Sequence, residues 1–197
     1  MLFSGSIQGT IPAMTVFARF VDEFPDREET KVLTLLERIT GKEIQRIYLD
    51  ERYCADPECD CQRVLLYAHD PATNLLAAIT YDFLGRSERT PTGVNPFLEP
   101  AVQQPPGAEA VFFHVKRIIE SEPAYRDRLR RHYAELKERT RDRAHPLWPT
   151  ILEDRRMMTR IAKQMAAAAR GPRSGPDRSQ QEKNRAKRER QLRRAKR

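Results

Sequence analysis

The spacing of apolar residues changes several times along the chain, and each change predicts a different element. Asp26 and Glu29 form a capping-box-like pair, and Val32, Leu33, Leu35, Leu36 and Ile39 follow before Gly41, which predicts a helix over 27–40. Upstream, Thr15-Val16-Phe17-Ala18-Arg19-Phe20 reads as a strand. From Ile44 to Tyr53 apolar and polar positions alternate, and strong β signals recur over 63–69 and 75–84 around the turn Asp70-Pro71-Ala72-Thr73-Asn74. These predict three antiparallel strands, the last two forming a hairpin.

Prolines then reset the pattern. Pro91, Pro96, Pro100, Pro105 and Pro106 make 85–107 an irregular connection, and two helices follow over 108–120 and 124–143, separated at Pro123. Tyr125, Leu129, Tyr133 and Leu136 recur at helical spacing and give the second helix a core face. A proline-bracketed linker, 142–149, precedes an amphipathic helix over 150–170 that carries Ile151, Met158, Ile161, Met165 and Ala168, a surface suited to a protein partner. The order of elements predicts an α+β domain over 14–141, a small antiparallel sheet with helices packed on one face. Around it stand a flexible N-terminus (1–13), the extended C-terminal helix and a disordered basic tail (171–197).

Composition supports a domain with a real core: 197 residues, 39% hydrophobic and 32% charged. The net charge of +8 belongs to one end, because 12 Lys/Arg face 3 Asp/Glu from Arg170 onward, against 24 and 25 before it. That tail has no aromatic residue and Leu192 as its single large apolar one, so it cannot bury enough surface to fold alone. Nine of its cations are Arg, suited to phosphate, which makes non-specific nucleic-acid affinity the expected property and a solubilising tail the plainer one. With no stacking platform it would position and not read sequence. Membrane association is disfavoured for lack of apolar anchors, and Ser4, Gly5, Ser6, Gln8 and Gly9 break the first apolar stretch, so a cytoplasmic, reducing location is expected.

The three cysteines, Cys54, Cys59 and Cys61, fall within eight residues, Cys-Ala-Asp-Pro-Glu-Cys-Asp-Cys. Sulfurs separated by one residue do not easily close a disulfide, and an odd count leaves one over, whereas tetrahedral zinc takes three sulfurs and one further ligand. Inert buried thiols and redox thiols are the alternatives. For the fourth ligand His132 is preferred, since it lies roughly 55° from the centre of its helix's apolar face, against roughly 110° for His114. His69 is discounted, being roughly 26 Å along an extended strand from Cys61. Asp56 and Asp60 are alternatives that can equally be turn formers.

The stretch Tyr53-Cys54-Ala55-Asp56-Pro57-Glu58-Cys59-Asp60-Cys61-Gln62-Arg63-Val64, the apolar hairpin ending near Tyr81, and Tyr125 with Arg128-Leu129-Arg130-Arg131-His132-Tyr133 and Lys137 resemble a group of uncharacterised bacterial proteins. Some of those carry a C-terminal SEC-C metal-binding motif. The resemblance covers about 44–141 and implies a metal-site scaffold without an assigned reaction; the SEC-C motif is absent here, and no cysteine follows Cys61. No Ser/His/Asp set, phosphate loop or His-Glu-x-x-His pattern is present, so the expected function is a zinc-stabilised binding or scaffold protein. The alternative is a metal-dependent hydrolase with an open three-cysteine zinc site and Glu58, Asp60 or Asp56 as general base.

Overall fold

In the computed structural model, residues 16–27, 29–84 and 94–169 are described, together with the single positions Arg185 and Lys187. The expected flexible segment 1–13 and all but those two positions of the tail 171–197 lie outside them. The chain divides into two units, Met1–Asp154 and Arg155–Arg197.

The long strand β3 (Glu43–Cys54) organises the first unit. Its partners are β1 (Phe17–Arg19), β2 (Lys31–Leu36) and β4 (Arg63–His69), all antiparallel; β4 continues to β5 (Leu75–Asp82) and β5 to the short β6 (Phe97–Leu98). β1 and β2 lie in line, β1 against residues 52–54 of β3 and β2 against 43–49. α1 (Phe20–Glu23) follows β1 directly, while α2 (Ala108–Ser121), α3 (Pro123–Arg139) and α4 (Trp148–Ala169) come after the sheet. The architecture is the expected α+β.

Alternation places one set of side chains on the helix-covered face. Ile47, Leu49 and Tyr53 of β3, Val64, Leu66 and Ala68 of β4, and Ala77, Ile79 and Tyr81 of β5 are all buried there. Val115 and Ile119 of α2 with Leu129 and Leu136 of α3 complete the same core. Each fully buried Leu or Ile contributes about 1.5–3 kcal/mol, so this layer dominates the stability of the unit. Pro123 occupies the first position of α3, where its missing N–H costs nothing. On the opposite face Asp50 is buried beneath Arg19 and Arg52, 3.0 Å from each, and Arg52 lies 4.1 Å above the Tyr67 ring.

Two elements differ from expectation. The helix predicted over 27–40 is instead strand β2 and a hairpin: Leu33 pairs with Ile47 and is buried, while Val32 and Leu36 face outward. Gly41, expected to end that helix, adopts φ +68°, and its N–H bonds the Glu37 carbonyl at 2.9 Å. That bond spans four residues, as in a helix terminus, and here it closes the β2–β3 turn. Helix and hairpin thus share one local signature, and pairing with β3 decides between them. The connection 85–107 contains β6, which pairs Phe97 with Thr80 and Leu98 with Ile79; residues 85–93 are outside the described set.

Candidate metal centre

β3 and β4 pair through Tyr53 and Val64, so the loop between them is anchored at both ends by the sheet. Cys54 closes β3 and is fully buried; the next N–H, of Ala55, donates to Val16 O at 2.8 Å. Asp56 turns the chain, its carboxylate accepting the Glu58 N–H at 2.9 Å and its carbonyl the Cys59 N–H at 3.1 Å. Asp56 is therefore the turn former that its sequence position allowed. Gln62, at φ +47°, then redirects the backbone into β4.

This path brings the three sulfurs together, all within 4.8 Å of one another. Cys59 and Cys61 are half-buried. Hydrogen bonds from the Cys54 and Cys61 thiols hold the Cys59 thiol well below the ordinary cysteine range, with Lys137 adding to the effect. The Cys54 thiol is pushed up, by its hydrogen bonds to Cys59 and Cys61 and then by burial. The lowered proton affinity of Cys59 beside two neighbouring thiols suits a soft cation, which would displace the thiol protons on binding.

Helix α3 braces the loop from outside. Tyr133 and Lys137, one turn apart, share a face. Lys137 is buried, and its ammonium donates to the carbonyl oxygens of Asp56 and, at 3.0 Å, Cys59, while standing 5.2 Å from the Tyr133 ring centre. Burial, and then the neighbouring cysteine cluster, raises the Tyr133 hydroxyl above its usual range. In the first turns of α4, Asp154 is likewise raised by partial burial and then by the charges of Asp56 and Cys59. Lys137 and Asp154 are the site's neighbours that sequence reasoning assigned no role. Lys137 carried one signal, a lysine within the resemblance one turn after Tyr133; Asp154 carried none.

The structure does not bring His132 to the sulfurs. Its Nδ1 lies 2.6 Å from Glu51 Oε2 and its Nε2 3.0 Å from Glu29 Oε2, and its ring stacks on Phe20 at 3.7 Å. Glu51 also accepts from Tyr53 Oη at 2.8 Å and Arg128 Nη2 at 2.7 Å. The orientation towards the core was read correctly and the partner was not: α3 turns His132 to the carboxylates of buried Glu51 and half-buried Glu29, and Lys137 to the loop. His69 is at the far end of β4, its Nδ1 3.1 Å from the Asp70 carbonyl. Among the described residues, no His, Asp or Glu atom joins the three sulfurs.

Comparison with known proteins finds no matching family model, no matching curated protein and no matching solved structure. The donor set fits a soft or borderline divalent metal: three convergent sulfurs, with a buried ammonium nearby to offset the excess charge of three thiolates. Among the described residues, no helix is long and apolar enough to cross a membrane.

Proposed function

We propose that the chain is a zinc-stabilised intracellular binding or scaffold protein, whose 170–197 tail adds non-specific affinity for nucleic acid. The observation that carries this reading is the convergence of Cys54, Cys59 and Cys61 at the end of the sheet, beside Lys137. Zinc bound there ties the β3–β4 loop to itself and, through the Lys137 hydrogen bonds, to α3, so metal binding becomes folding free energy. Three thiolates leave a Zn²⁺ site with net negative charge. That charge opposes ionisation of a bound water and weakens Lewis acidity, which favours a structural metal over the hydrolase alternative.

Elemental analysis of protein purified under reducing conditions without added metal tests the reading. One zinc per chain is expected, with Cys59→Ser lowering both metal content and thermal stability. A metal content near zero, and no stabilisation on adding Zn²⁺, would leave the cysteines as ordinary thiols.

A further inference from the structure

Strand β2 and the start of β3 project beyond the rest of the sheet. β4 pairs with β3 only from Tyr48 onward, and among the described residues Glu43–Ile47 have β2 as their one strand partner and β2 has β3 alone. A two-stranded ribbon is marginal in water, and an edge strand leaves a row of backbone groups open to pairing. Few of the devices that usually blunt such an edge are present: β2, Lys-Val-Leu-Thr-Leu-Leu, holds no proline and one charge, Lys31, and its one irregularity is a register shift against β3 between Leu35 and Leu36. Large aliphatic side chains are exposed on the ribbon instead, Val32 at 39%, Leu36 at 56%, Ile44 at 67% and Ile39 at 93%.

We propose that this edge is a dimer interface, in which β2 pairs antiparallel with β2 of a second copy about a twofold axis centred on Thr34. Two coplanar sheets related by such an axis must match residues on the same face, so paired positions sum to an even number. Centring on Thr34 sets Lys31 opposite Glu37 of the second copy, Val32 opposite Leu36, and Leu33 opposite Leu35, each pair occurring twice. The charges are complementary, and of the exposed aliphatic positions Val32 and Leu36 cover one another. Centring on Leu33 would instead oppose Glu29 and Glu37, and centring on Leu35 would set Leu33 against Glu37. Lys31 already donates to Glu122 at 2.6 Å, and its ammonium has further protons to offer. The self-complementary register is what selects a second copy over a foreign strand.

The full-length, metal-loaded protein is measured by sedimentation equilibrium, and Thr34→Cys is oxidised and mapped by mass spectrometry. A dimer is expected, with a 34-to-34 cross-link between chains. Leu36→Lys and Val32→Lys change exposed side chains and should keep the circular dichroism of the parent. Each should raise the dissociation constant on the order of tenfold, because every lost cross-strand contact is lost twice. A monomer at about 100 µM, weaker than a specific interface, would overturn the proposal. A dimer indifferent to both lysines and without the 34-to-34 link would do the same.

Discussion

His132 lies between two carboxylates, its Nδ1 2.6 Å from Glu51 and its Nε2 3.0 Å from Glu29. Truncating it removes a partner of buried Glu51 and opens a cavity against Phe20. His132→Ala should therefore cost about 2–4 kcal/mol in urea denaturation, with zinc content per folded chain unchanged; loss of zinc from the folded variant would return His132 to the metal site. Glu29 gives a pH signature. The hydrogen bond from His132, then the charges of His132 and Arg131, hold its carboxyl below the ordinary range against the opposing effect of burial. A depressed folded pKa contributes stability above the unfolded value and loses it as pH falls through the folded one. The parent should thus lose stability below about pH 4.3. Glu29→Gln should be less stable at neutral pH and show a shallower fall over that acid interval, as read from the urea midpoint.

The cysteine loop and α3 act together as elements. The loop is anchored at both ends by β3 and β4, and its outer carbonyls are held by one ammonium from the helix. Lys137→Met keeps the length of the side chain and removes the charge and both hydrogen bonds. Outer-shell partners of this kind typically change metal affinity by about 10–100-fold, so zinc competition against a chromogenic chelator should show weakening in that range. An unchanged affinity would mean that the loop is ordered by the sheet alone. Helix α4 begins two residues before the expected position, with Trp148 and Ile151 buried, while Met165, placed by sequence on its apolar face, is 68% exposed.

At the scale of the whole molecule, charge is segregated: the chain before Arg170 is close to neutral and the remainder holds the excess. Each phosphate neutralised releases counterions, so affinity for mixed-sequence RNA or duplex DNA should fall with salt at a slope of roughly 0.7–0.9 per contact. Deleting 170–197 should flatten that slope without changing zinc content or the thermal midpoint of the folded unit. Fluorescence anisotropy over a salt series measures it; full-length protein without affinity near 50 mM salt, where such contacts are strong, would reduce the tail to a solubilising segment.

The sequence by itself determined the strands β3, β4 and β5, the helices α2 and α3, and the clustering of the three cysteines in one loop that could hold a metal ion. In each case the signal is local: alternation over a half-buried strand, 3.6-residue periodicity, and ligands close enough in sequence to meet without help from the rest of the chain. Only the tertiary structure decided the rest. Residues 31–41 carry a pattern that serves helix or hairpin, and β3 supplies the pairing that selects the strand. His132 was correctly placed towards the core, but whether it met sulfur or carboxylate depended on where α3 crosses the sheet. Glu51 and Glu29, 81 and 103 positions away in the chain, are brought to it by that crossing, and no spacing along the sequence records it. The same crossing carries Lys137 to the loop, because residues five apart on α3 point about 140° apart around its axis.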